Sequence, residues 1–324
     1  MMRELVLIAG GFERALADHP RGLRLPTLER LLARGRREST QAEARPALQN
    51  RWQRQLLEGL DPTLDPSQYA SAPVSWLGLG CEPYAGTCWH ATAVHVAATT
   101  DRLQLLPVGL IEPDEEDALA DLLGRELTSA DYRFEALPGG HWFLRAAADF
   151  AAVTTPVEGA FSADMRDTLP AGRDAAMIRR LMTEAQMLLH EHPINAIRAA
   201  AGRLPVNGIW CWGGGSFPAP RGPSEAFLCG EDPFLHGLAR LHGQSGGAAS
   251  PALLEDLEAR TVMVVQVASL AGFAEEWLAP LPSALRAGRV GCVTLGLESR
   301  WVRITARDLR KFWKRSRSVA EVLG

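Results

Sequence analysis

The sequence predicts an α/β protein, a mixed sheet flanked by helices, with a small α+β insertion. Three observations predict it. Short apolar runs stand near both ends of the chain, at Leu5–Ala9, Thr261–Val267 and Gly291–Leu297. Segments with helical apolar spacing alternate with them. The middle of the chain instead carries a hairpin signal, Pro138-Gly139-Gly140.

Leu5–Ala9, closed by Gly10-Gly11, reads as a buried strand. Pro26 opens a helix whose Leu28, Leu31 and Leu32 share one face, and Gly35 stops it. A second helix is read from Ala47 to Leu57, followed by a loop at Asp61-Pro62 and Asp65-Pro66. Ala91–Thr99 and Leu103–Val108 read as paired strands, and Glu112–Leu127 as an acidic amphipathic helix. Tyr132–Leu137 and His141–Ala146 flank the Pro-Gly-Gly turn. From Ala171 the helical period returns, with Met177, Ile178, Leu181, Met182, Ala185, Leu188 and Leu189 in one stripe. Gly208–Trp212 is a strand, Phe234–His242 a short helix, and Gly243–Ser250 a flexible loop. Thr261–Val267 is the clearest buried strand. A helix over Ala274–Ala287 follows, then Gly291–Leu297, with Trp301–Thr305 pairing to it. The domain reading is an α/β core from residues 1–69 and 166–324, with the insertion or cap at 70–165.

Composition narrows the class. The chain has 324 residues, is 47% hydrophobic and 22% charged, and carries a net charge of -4. It can bury a substantial core and has no overall basic footprint for nucleic acid. The apolar run at the start is too short for a signal peptide. No apolar run reaches the roughly 18 residues of a membrane helix. Five scattered cysteines without CxxC spacing read as reduced thiols. The expected location is the bacterial cytoplasm, with no membrane and no nucleic-acid partner.

The chemistry is concentrated between Glu184 and Gly215. His190 and His192 are two apart, which points them to different faces of a helix, and Pro193 pushes His192 out of it. No metal ligation is expected there. Gln186 shares a polar row with Arg179, Thr183 and His190, which is either a solvated face or a row facing a cleft. Asn195 is read as a helix N-cap. Arg198 can hold a carboxylate or phosphate in bidentate fashion. Asn207 precedes a strand and is placed to tie two loops together. Gly213-Gly214-Gly215 reads as a loop, or as glycines allowing a ligand close to the backbone. His90 and His95 face opposite sides of a regular strand. Ser216 lacks a nucleophile-elbow context. Trp210 and Trp212 share a face and read as core. The basic tail RDLRKFWKRSR, 307–317, is a docked amphipathic end, a solvated one, or a contact for a partner.

The run HPINAIRAAAGRLPVNGIWCWGGGSFP, residues 192–218, resembles a segment of archaeal-type cofactor-independent phosphoglycerate mutases. That segment reads roughly H-P-x-N-x-x-R, a turn, P-A-N, and an apolar strand ending in glycine. LVLIAGG, LPTLERLLARG, RPALQNRWQRQLLEGLDP and GEDPFLHGLARLHG resemble further pieces in the same order. QMLLHEHPIN, CWHATAVHV, PVNGIWCWGGG and DLRKFW together resemble the RpfE-type bacterial regulatory proteins. The resemblance implies an alkaline-phosphatase-like fold. In the mutases it implies two divalent metals and a serine nucleophile.

The departures are specific. Gly10-Gly11 stands where the resemblance implies a metal-binding Asp. Leu48–Asn50 stands about where it implies the serine. TVMVVQV is followed by ASLAGFAEEW, which has no His and no Asp. The expectation is a protein without catalytic residues, metal or cofactor. Its polar residues Gln186, His192, Asn195, Arg198 and Asn207, with Gly213 and Gly215, would bind an anionic or phosphorylated small molecule, and a protein partner is a further expectation. The alternatives are an active phosphoglycerate mutase or phosphatase with rearranged ligands, and an interaction module using the basic tail.

Overall fold

The computed structural model describes residues 3–19, 24–38, 48–98, 102–148, 150–311, 313, 314 and 319. They form two compact units. The first is Met1–Ala42, Arg51–Leu64 and Pro220–Gly324, and the second is Glu43–Asn50 and Asp65–Ala219.

In the first unit, β1 (Glu4–Gly10) leads to α1 (Phe12–Ala17), α2 (Pro26–Arg34), β2 (Arg36–Glu38) and α3 (Arg51–Leu60). The chain then builds the second unit from α4 (Ser71–Gly78), β3 (Thr87–Ala98), β4 (Leu103–Pro107) and α5 (Pro113–Glu126). The hairpin β5 (Tyr132–Leu137) and β6 (His141–Ala146) follows, then β7 (Ala152–Val153), α6 (Val157–Phe161), α7 (Met165–Thr168) and β8 (Ala171–Gly172). Next come α8 (Ala175–His190), α9 (Pro193–Ala200) and β9 (Gly208–Gly215). The first unit resumes with β10 (Phe227–Cys229), α10 (Pro233–Leu241), β11 (Arg260–Gln266), α11 (Leu270–Phe273), α12 (Leu281–Arg286), β12 (Cys292–Gly296) and β13 (Trp301–Thr305).

The first unit is the α/β sheet that the apolar runs predict. Its order is β10-β11-β1-β12-β13-β2. β10, β11, β1 and β12 are parallel, and β13 and β2 are antiparallel additions. A parallel strand is covered on both faces, which is why Leu5 to Ala9 and Val262 to Val265 are continuously apolar and buried. Leu5, Leu7, Met263 and Val293 pack with Leu28 and Leu31 of α2 and Leu285 of α12. On the other face α3 approaches so closely that a Cβ at Gly59 would lie 3.1 Å from Val6 and 3.7 Å from Ile8. The helix read over Ala274–Ala287 is instead a π-helical turn at Ala274–Leu278 followed by α12. Pro280 and Pro282 lack the N–H groups a continuous helix needs. The helix read from Ala47 runs over Arg51–Leu60, and Ala47 lies outside the described residues.

The second unit is α+β and extends to Ala219, past the boundary read at 165. The physical reason is strand pairing. β9 adds antiparallel to one edge of β3, from Val94↔Gly208 to Cys88↔Gly215. β6 and β4 share the other edge of β3. The hairpin pairs Leu137 with His141 across the predicted turn. α8 lays Ile178, Leu181, Ala185 and Leu189 on a core that includes Trp210 and Ile209. The three glycines continue β9 rather than forming a loop. α4 has no sequence signature beyond small and apolar residues, and it is buried almost throughout.

Asp232 caps α10 by accepting the Phe234 N–H at 2.8 Å. Burial pushes its carboxyl up to about 6, against the opposing pull of that hydrogen bond. The folded chain therefore holds this proton more tightly than the unfolded one. Stability from this group is greatest below the ordinary value of 3.8 and is lost as pH rises through about 6. The Asp232→Asn variant keeps a capping oxygen without the titration. The stability of the wild type relative to this variant should fall by up to roughly 3 kcal/mol between about pH 4 and 7. Urea midpoints across that range check it, and parallel profiles would refute it.

Candidate functional site

The residues marked by the sequence meet in the second unit, on α8, α9 and β9. α9 starts at Pro193, which suits the first helical position. The residue before a proline is held extended, and His192 is, with φ -64 and ψ 131. His192, not Asn195, is thus the N-cap, its Nδ1 accepting the Ile194 N–H at 3.4 Å. Asn195 is one turn further in and buried. Its Nδ2 donates to Leu189 O at 2.8 Å and Val206 O at 2.9 Å, and its Oδ1 accepts the Val206 N–H at 2.8 Å. The side chain splices the end of α8 to the lead-in of β9.

Arg198 is 0% exposed. Its guanidinium donates to Leu204 O at 2.9 Å, Leu110 O at 3.1 Å, Val108 O at 2.8 Å and Glu115 Oε2 at 2.6 Å. Glu115 also accepts from Arg203 at 2.6 Å. Burial raises the Glu115 carboxyl, but the Glu112 N–H and the two guanidiniums outweigh it and hold the group below its usual range. The anion that Arg198 binds is thus internal, which corrects the expectation of a ligand there. Asn207 is likewise engaged: its Oδ1 accepts the Val96 N–H at 2.6 Å and its Nδ2 donates to Val96 O at 3.0 Å. It extends the β3–β9 ladder by one residue.

Gly213 and Gly215 serve packing, not ligand approach. A Cβ at Gly213 would stand 2.8 Å from Ser71 and one at Gly215 2.5 Å from Ala70, both at the start of α4. Gly214 leaves room for the Trp89 indole. In the same layer Ser71 Oγ lies 3.0 Å from His90 Nε2, and His90 stacks on Trp212 at 4.5 Å. Burial pushes His90 down to about 3, so it is neutral. Ser71 is 0% exposed, so its hydroxyl is closed off from solvent. His95 takes a separate partner, Pro205 O at 2.9 Å.

One polar row does face a cleft. Arg179, Thr183 and Gln186 line a cavity of about 220 Å³ with Val96, Met182 and Ile209. His190 is exposed and lies outside this lining. The sequence therefore brings Gln186 to a cavity and places the other named residues in the framework around it.

A second place of chemical interest is the C-terminal edge of the first unit's parallel sheet, where open α/β sheets hold ligands. The sequence reading gave it no candidate. Three neighbouring strands end there in Gln266, Gly10-Gly11 and, just beyond β12, Glu298. Glu298 has φ 58, the non-glycine residue with positive φ among those described. Its Oε1 accepts the Gly11 N–H at 2.8 Å and its Oε2 the Glu13 N–H at 2.9 Å. Its own N–H donates to Gln55 Oε1 at 2.8 Å. Burial raises the Glu298 carboxyl, only partly countered by those N–H donors. Residues 285 and 287 positions apart meet here, so no local signal announces the contact.

The described residues of this edge do not fit two divalent metals. A metal centre needs several oxygen, nitrogen or sulfur ligands. The carboxylates at this edge are already engaged: both oxygens of Glu298 accept backbone N–H groups, Glu13 pairs with Arg51, and Asp232 caps α10. Among the described residues no group of three His, Cys, Asp or Glu converges. Near the position implied for a serine, Gln49 donates to Pro66 O at 2.6 Å and Asn50 to Glu158 Oε1 at 2.8 Å. The five cysteines are free, and burial pushes Cys88 and Cys211 up to about 12. Among the described residues no helix is long and apolar enough to cross a membrane. Residues 312 and 315–317 of the basic tail lie outside the described residues.

Comparison with known proteins gives distant relatives. No family model matches the chain. Its curated relatives are 2,3-bisphosphoglycerate-independent phosphoglycerate mutases. The protein of Methanosarcina mazei is 27% identical over 233 residues, 67% of this chain and 56% of the relative. That of Methanothrix thermoacetophila is 43% identical over 72 residues, 22% of this chain and 18% of the relative. The solved cofactor-independent phosphoglycerate mutase of Thermoplasma acidophilum aligns with 17% identity and a TM-score of 0.41, covering 100% of this chain and 95% of its own. The chain is a distant relative of these mutases and spans about half the length of the first one.

The two kinds of residue behave differently when removed. Arg198→Ala leaves Glu115 buried beside Arg203 alone and should lower stability by about 3–5 kcal/mol. Gln186→Ala, at an exposed position on α8, should change it by no more than about 0.5 kcal/mol. Urea unfolding of both variants checks this, and equal effects would contradict the assignment.

Proposed function

We propose that this protein is a non-catalytic, ligand-sensing regulatory protein built on a phosphoglycerate-mutase-like scaffold of the alkaline phosphatase superfamily, of the RpfE type. The observation that carries the reading is Glu298. Where a parallel sheet presents its ligand-binding edge, this chain seats its own carboxylate on the N–H groups of Gly11 and Glu13. In-line phosphoryl transfer between divalent metals needs oxygen ligands free to coordinate and a nucleophile within reach. Glycines stand at the end of β1, and amides used for hydrogen bonding stand at Gln49 and Asn50. The distant likeness to the mutases supports the scaffold, and the arrangement at its edge supports the loss of turnover.

The test uses the full chain. Metal content is measured on the purified protein, thermal melting is followed in manganese, magnesium and zinc, and interconversion of 3- and 2-phosphoglycerate is assayed. A ligand that binds only the folded state raises Tm by mass action. The expected result is no saturable rise with any of the three metals and no turnover. About two tightly held metal equivalents with measurable mutase activity would overturn the reading.

A further inference from the structure

The cavity beneath α8 carries a more specific inference, which rests on the ligand-sensing reading and names its site. The cavity lies within the second unit, between α8, β9 and the end of β3. Its volume of about 220 Å³ is below the roughly 300–1,000 Å³ typical of drug-sized ligands, so the occupant is small. One side is apolar: Val96 and Ile209 from the sheet, with Met165, Leu169 and Met182 around them. Methionine side chains adapt to irregular apolar groups. Gly208 keeps the sheet side open, since a Cβ there would already reach 3.2 Å from Val96.

The other side is the polar stripe of α8. Arg179, Thr183 and Gln186 stand at i, i+4 and i+7, so they stack along one helix face. All three are exposed. Arg179 donates from Nη1 to Pro170 O at 3.3 Å, a long contact, and a guanidinium has five N–H donors in all. The Thr183 hydroxyl donates to Arg179 O at 3.0 Å, so towards a ligand it is an acceptor. Gln186 brings an amide with two donors and one acceptor. The lining thus holds one cation, neutral hydrogen-bonding groups and no carboxylate. One fixed positive charge above an apolar floor matches a single negative charge on an apolar body. A phosphate dianion would leave charge uncompensated and gain nothing from the methionines.

We propose that this cavity binds a small amphipathic monocarboxylate, with its carboxylate on Arg179 and Gln186 and its apolar body against Met165, Met182 and Ile209. The probe is octanoate, titrated into the full chain carrying ¹³C-methyl methionine, with inorganic phosphate and octanol as separate titrations. The expected result is a saturable shift of the Met165 and Met182 methyl signals with octanoate, a much weaker effect with octanol, and none with phosphate. Arg179→Gln should weaken octanoate at least about tenfold, the loss of one charge-assisted contact. Arg179→Lys should recover part of the affinity, and Thr183→Trp, which fills the cavity from an exposed position, should abolish binding. Melting curves establish that each variant folds.

No saturable shift with octanoate in the wild type would overturn the proposal. So would unchanged affinity in Arg179→Gln, or phosphate binding at the same methyls. These outcomes are separable from the metal and turnover assays. Octanoate binding in a chain that also turns over phosphoglycerate would leave this site standing and remove the non-catalytic reading. Absent binding in an inactive chain would do the reverse.

Discussion

The second unit is organised around one buried cation. A guanidinium cannot be left in a protein interior without partners, because its hydration is lost and nothing replaces it. Arg198 meets that requirement by drawing four acceptors from three separate segments. They are the carbonyls of Val108 and Leu110 ahead of α5, Glu115 within α5, and Leu204 ahead of β9. None of these segments could move without stranding part of the charge. Asn195 and Asn207 apply the same logic with neutral amides, joining α8 to β9 and β9 to β3. The polar residues of this region therefore specify how the elements meet, and the apolar stripe of α8 supplies most of the burial.

That role explains why the same residues look like a binding site in the sequence. An H-P-x-N-x-x-R run has the donors that recognise anions, and nothing in the spacing tells whether the anion belongs to a ligand or to the protein. The deciding residue, Glu115, lies 83 positions away on a helix whose pattern reads simply as acidic and amphipathic. Local features were legible. The parallel strands declared themselves by unbroken apolar runs, the β5–β6 hairpin by Pro138-Gly139-Gly140, and α2 by its Pro and Gly boundaries. What depends on distant partners was not. α4 is buried on nearly every side and so lacks an amphipathic period. The three glycines of β9 are strand because α4 and Trp89 need their space. The second unit reaches Ala219 because β9 pairs with β3, a fact stated only by tertiary structure.

The sheet edge of the first unit shows the same self-sufficiency in different chemistry. Backbone N–H groups at the start of a helix attract anions, and in many α/β proteins that anion is a ligand. Here a residue in a left-handed backbone conformation turns its own carboxylate onto them. Gln55 secures the turn by accepting the Glu298 N–H and donating to Arg300 O at 3.0 Å. Gly296 makes this possible, since a Cβ there would lie 2.8 Å from the Gln55 amide oxygen. Strain of this kind persists only where the surroundings over-determine it.

These arrangements separate what a scaffold can keep from what it can lose. Burial of Leu5, Leu7, Met263 and Val293 is non-directional, so it tolerates extensive exchange of side chains while the sheet is preserved. Metal coordination and nucleophilic attack are directional and depend on a few oxygens at fixed positions. Replacing those few leaves stability intact as long as each exposed donor finds a substitute. On the non-catalytic reading proposed above, Glu298 would be such a substitute at the N–H groups of Gly11 and Glu13, which it accepts, and the amides of Gln49 and Asn50 donate within the fold. The polar atoms of the Arg179–Gln186 row are the contrasting case. They are exposed beside an apolar hollow on the face that α8 does not use for the core, and that is where a small molecule can still add contacts the fold does not already make.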